Sequence, residues 1–178
     1  MRLTVIGTGL IGASAAMAFS RREGAEVVLW DRDPATLAEA AERCGAQAAE
    51  SLESAVAGAD AVLVAAPVGV LPGLVAEALV HAGEDALVTD VGSTKQGVVA
   101  ANPDPRFVGG HPLAGGERGG PGNARADLFE GATWYLTPID STAGVQLERA
   151  FHSHIQFLTP SGLGRHSDSE FGGTRSLS

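Results

Sequence analysis

Cysteine is almost absent from this chain. The lone Cys44 cannot close an internal disulfide, which fits a reducing compartment, so a cytoplasmic protein is expected. Its ordinary reading is a small buried residue on a helix. Basic residues are scarce as well: 12 Lys and Arg stand against 21 Asp and Glu, for a net charge of −9. A nucleic-acid binder needs a basic footprint to displace counterions, so no nucleic-acid partner is expected. Long apolar runs are missing too. The nearest, AVLVAAPVGVL at 61–71, is interrupted by Pro67 and Gly69. Neither a membrane span nor a signal peptide is therefore expected. No HxxxH or CxxC cluster offers a metal site.

Glycine, by contrast, is abundant, at 24 of 178 residues. Short apolar runs alternate with longer helical ones. Residues 2–7, 25–31, 60–67, 85–93 and 106–110 read as strands by their length and β-branched content. Residues 10–20, 72–83 and 94–101 read as helices, and 51–59 as a short one capped by Ser51. Between Asp33, a natural N-cap, and Gly45, a natural stop, lies a further helix with Pro34 at its first position. Strands alternating with helices imply βαβ units and a parallel sheet. Residues 1–140 are expected to form a doubly wound, Rossmann-type α/β domain. In such sheets ligands bind beyond the carboxyl ends of the strands, here Gly7, Asp31, Ala66, Asp90 and Gly110.

The first of these ends opens GTGLIG, with Gly7, Gly9 and Gly12 in a GxGxxG pattern. It follows a strand, opens a helix, and precedes Asp31, which closes the next strand 19 residues after Gly12. That context makes it a dinucleotide fingerprint. Gly7 permits the tight turn, Gly9 lets a pyrophosphate approach the backbone, and Gly12 lets helix and sheet pack closely. The helix N-terminus then favours the anion. Asp31 accepts from two ribose hydroxyls and repels a 2′-phosphate, favouring NAD over NADP, while the adjacent Arg32 pulls the other way. Asp31 is also readable as a turn residue beside Asp33 and Pro34.

At the last of these strand ends, GGHPLAGGERGG (109–120) places one histidine between paired glycines. Glycine and proline disfavour helix and central strand, so the segment reads as a loop holding His111 near a nicotinamide. There a histidine can take the proton from a substrate hydroxyl as hydride leaves the same carbon. A satisfied structural histidine is the alternative. Ser93 is readable as a helix N-cap and Lys95 as a surface lysine.

Taken together, the motifs GTGLIG (7–12), AAPV (65–68), TDVGSTK (89–95), VGGHPLAGGERGG (108–120) and LFEGATWYLTP (128–138) make the chain resemble the prephenate dehydrogenases and the related arogenate dehydrogenases, over residues 1 to about 150. The resemblance implies oxidative decarboxylation of prephenate to 4-hydroxyphenylpyruvate in tyrosine biosynthesis, or of arogenate to tyrosine, with NAD as cofactor and no metal. It implies that His111 draws off the hydroxyl proton and that Ser93 holds the same hydroxyl and aligns His111. Thr8, Leu10, Ile11, Asp31, Arg32, Ala66 and Pro67 would line the cofactor site beside the three glycines. Lys95, Glu117 and Arg118 would lie near the substrate.

Members of that family carry a helical second domain that makes homodimer contacts. Here residues 141–158 read as the helix that would begin it. Residues 159–178, rich in Ser and Gly, read as a disordered tail, so the second domain is expected to be largely missing and activity of the chain alone is in question. His152 and His154, two apart, do not share a helix face; with His166 they read as solvent-exposed. Two other functional readings stay open: another small Rossmann reductase of hydroxy acids or imines, and a non-catalytic NAD-binding module.

Overall fold

The computed structural model describes residues 1–116 and 118–139. The expected helix at 141–158, the tail at 159–178, His152, His154, His166 and Glu117 lie outside the described residues.

The chain forms β1 (Arg2–Ile6), α1 (Leu10–Ser20), β2 (Glu26–Trp30), α2 (Pro34–Cys44), β3 (Gln47–Ala48), α3 (Leu52–Val56), β4 (Ala61–Val64), α4 (Leu71–His81), β5 (Leu87–Asp90), α5 (Gln96–Ala101), β6 (Phe107–Pro112) and β7 (Trp134–Thr137). Sheet order is β3-β2-β1-β4-β5-β6-β7. Pairings from β3 through β6 are all parallel, and β7 joins β6 antiparallel. Strand order reverses direction between β1 and β4, the place where a doubly wound sheet opens its ligand crevice.

Local chemistry explains most boundaries. At the start of α2 the Asp33 carboxylate accepts from the N–H groups of Ala35 and Thr36, and Gly45 ends the helix at φ 60° with its N–H on Ala41 and Glu42 carbonyls. Ser51 and Ser54 exchange side-chain-to-backbone bonds at the head of α3, a capping box. Cys44 closes α2, half-buried, its thiol donating to the Ala13 carbonyl at 3.5 Å. Arg106, just before β6, closes α4: it donates to the carbonyls of Leu79 (3.0 Å), Ala82 (3.0 Å) and Gly83 (3.3 Å) while Asp104 holds it at 2.7 Å.

Alternate strand residues face opposite sides, as a pleated sheet requires. Val5, Leu29, Leu63, Leu87 and Val108 pack with α1 and α2 on one face. Ile6, Val62, Val64, Val88 and Phe107 pack on the other, with Leu52 and Val56 of α3, Leu71 and Val75 of α4 and Val98 of α5. The segment after β6 turns back over the first face. There Arg125 N–H donates to Ser14 Oγ of α1 at 3.0 Å, and Phe129 is buried, its ring 5.4 Å from that of Trp134.

Two expectations are corrected. His111 was assigned to a loop, yet β6 runs on through His111 and Pro112, which pair with Tyr135 and Trp134 of β7. The glycines are there for close approach: a Cβ on Gly110 would stand 2.6 Å from the Asp90 carbonyl and 3.0 Å from Thr89 Oγ1. Proline is tolerated because N–H direction alternates along a strand. Leu113 N–H reaches Thr133 on the β7 side and Gly110 N–H reaches Asp90 on the other. Pro112, in step with Gly110, aims its nitrogen past the end of β5, where no ladder bond is forfeited. The second correction concerns α5, which starts at Gln96 with Lys95 at the N-cap position and no side-chain cap. Ser93 therefore does not cap it.

Candidate active site

Bonds across the carboxyl edge link the crevice from β2 to β6. Gly7 N–H donates to the Trp30 carbonyl (2.8 Å), Ala65 N–H to Ile6 (2.7 Å) and Val91 N–H to Val64 (3.3 Å). Gly110 N–H then donates to Asp90 Oδ1 at 3.1 Å. Of the five strand ends named from the sequence, Gly7, Asp90 and Gly110 take part in these bonds, and Trp30 and Ala65 adjoin the other two.

The glycine turn performs two of its three expected tasks visibly. Gly7 has φ 88°, and a Cβ there would overlap the Ala65 carbonyl oxygen at 2.3 Å. On Gly12 a Cβ would fall 1.9 Å from the Gly7 carbonyl oxygen and 3.1 Å from Val5; only glycine lets α1 pack this close. Gly9, at the N-cap of α1, has nothing within 4 Å of its would-be Cβ and no side-chain cap. The α1 N-terminus thus carries no side-chain cap and has open space beside Gly9, which fits a dinucleotide pyrophosphate. Leu10 and Ile11 are half-buried against the core, and Leu10 Cδ2 comes within 3.1 Å of the Cβ position of Gly116. The stretch following His111 therefore returns to the glycine turn.

Asp31 is already engaged. Its Oδ2 accepts from Thr8 N–H (2.7 Å) and Thr8 Oγ1 (3.1 Å), and its Oδ1 from Asp33 N–H (3.0 Å). A carboxylate holds about four lone-pair sites, so Oδ1 keeps room for a further donor, as a ribose hydroxyl requires. Thr8 is fully buried: its side chain supports Asp31 and does not line the crevice, contrary to expectation. Arg32 and Pro67 are exposed, and Ala66 is half-buried at the end of β4.

His111 is half-buried on the β6 face it shares with Gly109 and Phe107. Its Nδ1 is closed off from solvent and has no hydrogen-bond partner among the described residues. Ser93 is exposed on the β5–α5 connection, and Arg118 is exposed after β6. Lys95 differs from expectation. Its ammonium is not a free surface charge but forms an ion pair with Asp90 Oδ2 and donates to the Gly110 carbonyl at 2.7 Å. Burial pushes the Lys95 ammonium below its ordinary value, and Asp90 pushes it back up. Asp90, fully buried, is the residue sequence reasoning missed. Its signal was a charge closing the apolar run LVTD, five positions before a lysine. Among the described residues no group of three His, Cys, Asp or Glu is placed to hold a metal, and no helix is long and apolar enough to cross a membrane.

An open helix N-terminus, a carboxylate at the end of β2 and an imidazole on β6 thus lie along one edge. Comparison with known proteins gives this edge a context. The family model described as prephenate dehydrogenase, nucleotide-binding domain, matches residues 16–157. A prephenate dehydrogenase of Bacillus subtilis is 38% identical over 173 residues, covering 89% of this chain and 46% of the relative. A cyclohexadienyl dehydrogenase of Zymomonas mobilis is 36% identical over 76% of this chain and 48% of its own length. The chain thus spans about half the length of these curated relatives. Among solved structures, a prephenate dehydrogenase from Aquifex aeolicus in complex with hydroxyphenyl propionate and NAD+ superposes with TM-score 0.80 at 27% identity, covering 89% of this chain and 57% of that one. An arogenate dehydrogenase from Synechocystis gives 0.79 at 29%, covering 89% and 58%. On the match to the family model, this chain belongs to the prephenate dehydrogenase family.

Proposed function

We propose that the chain binds NAD and supplies the proton-accepting residue for oxidative decarboxylation of prephenate to 4-hydroxyphenylpyruvate, a step of tyrosine biosynthesis. The observation that best supports this reading is the return of the stretch after His111 to Leu10 of the glycine turn, at the carboxyl edge of the sheet that also carries β6. Bound NAD+ would accept the hydride. The α1 N-terminus with Gly7, Gly9 and Gly12 would hold the pyrophosphate. Asp31 would take the ribose hydroxyls and disfavour a 2′-phosphate, with Thr8 steadying it from behind. Ala66 and Pro67 would border the nicotinamide. The substrate hydroxyl would pass its proton to His111 Nε2, since Nδ1 is closed off. Ser93 would orient that hydroxyl, with Glu117 and Arg118 beside the substrate. Loss of the ring carboxylate as CO2 makes the ring aromatic, which drives the reaction without a metal. Arogenate is the second reading, supported by the similarity to the Synechocystis enzyme.

The test is NAD binding by calorimetry and NADH formation by absorbance with prephenate, arogenate and simple hydroxy acids, on the native chain and His111→Asn. His111→Asn should keep its NAD affinity and lose about 10²–10⁴ in turnover. Undiminished turnover in that variant would refute the role of His111. NAD binding without turnover of any substrate would favour a non-catalytic module.

A further inference from the structure

The β5–β6 ladder stops at Thr89↔Val108, two residues short of Gly110. Beyond it a side-chain pair continues the attachment. Asp90 Oδ1 accepts from Gly110 N–H at 3.1 Å, and Lys95 Nζ donates to the Gly110 carbonyl at 2.7 Å. Both polar atoms of Gly110 are thus held by two side chains that are ion-paired to each other. Asp90 Oδ2 also accepts from Gly92 N–H at 2.8 Å, which ties in the connection carrying Ser93. The Lys95 stem crosses Gly109, where an added Cβ would stand 3.0 Å from Cδ. On the other side of the strand, β7 holds Gly109 and His111 through Thr137 and Tyr135.

The His111 ring has no comparable fastening. An acid–base histidine is usually aimed by a third group on its second nitrogen, and here Nδ1 has none among the described residues. Its aim therefore rests on the backbone at 110–111. We infer that the Asp90–Lys95 pair is a positioning device for His111, fixing the peptide that carries the imidazole and holding the Ser93 connection to the same point. A full charge buried at Asp90 is costly unless paired; a device that must grip an N–H and a carbonyl of one residue needs one acceptor and one donor, which this pair provides. The inference rests on the reading of His111 as proton acceptor.

The test uses the full 178-residue chain with 15N-labelled histidine, His111 being assigned by its loss in His111→Asn. Lys95→Met should move the His111 ring-nitrogen signals away from their native positions. Its Kd for NAD should stay within about twofold of the native value and its turnover of prephenate should fall about tenfold or more, the usual effect of misplacing a group. Lys95→Arg, which keeps donor and charge, should restore both the native signals and the turnover. If Lys95→Met does not fold, Asp90→Asn combined with Lys95→Met leaves no buried charge unpaired and carries the same readout. A folded variant whose His111 ring-nitrogen signals match those of the native chain overturns the inference. Undiminished turnover in His111→Asn overturns the functional reading instead, whatever Lys95→Met does to the ring.

Discussion

At the scale of single residues, the three fingerprint glycines separate cleanly by what surrounds them. Gly12→Ala drives a Cβ to 1.9 Å from a backbone oxygen; overpacking against backbone that cannot yield should cost about 3 kcal/mol or more, read from urea unfolding. Gly9→Ala meets nothing, so stability should change by no more than about 0.5 kcal/mol while NAD affinity falls about tenfold. Equal losses from both variants would show that Gly9 serves the fold alone. These two residues were legible because glycine spacing encodes close approach. Thr8 and Lys95 were not, since a hydroxyl or ammonium reads the same in sequence whether it faces a ligand or a neighbouring carboxylate. Only the fold brings Asp31 to Thr8 and Asp90 to Lys95.

At the scale of elements, α2 was legible to the residue, because Asp33, Pro34 and Gly45 each act on backbone a few positions away. β6 was misjudged at its end because its stability is non-local: β7, 22 residues on, supplies the partner, and the pair must be seen together before Gly110 and Pro112 make sense in a strand. β3, two residues long, is too short to show a period. The closure of α4 by Arg106 was equally invisible. Arg106→Ala removes three carbonyl contacts and an ion pair that is mostly shielded from solvent, and should cost about 2–3 kcal/mol. The Arg106 side chain holds the Asp104 carboxyl below its usual range, with the Arg106 N–H adding to the effect. A depressed folded pKa gives stability that is present above the unfolded value, about 3.9, and is lost as pH falls through the folded one. The stability gap between the native chain and Arg106→Ala should therefore narrow below about pH 4, with the carbonyl contacts leaving a remainder. A gap that stays constant to pH 2.5 would mean Asp104 contributes nothing.

At the scale of the whole molecule, strand alternation with helices was enough to place β1, β2, β4, β5 and β6, since crossovers between parallel strands leave few topologies. The direction of β7 was not accessible, because an antiparallel return depends on how the chain folds back over α1. That return is anchored by Phe129, fully buried against the first face. Phe129→Ala should cost about 3–5 kcal/mol by urea denaturation, far more than a surface change, and a loss under about 1 kcal/mol would place the segment outside the cooperative fold. The same return has an evolutionary corollary. Residues 113 and 133 are joined by one 2.8 Å bond, so the excursion between them leaves and re-enters at a single rung. Doubling the length of such a loop costs only about 0.6 kcal/mol and moves neither strand. The largely exposed stretch at 113–116 is therefore free to be lengthened while the buried Phe129 and the β6–β7 pairing that carries His111 keep their station.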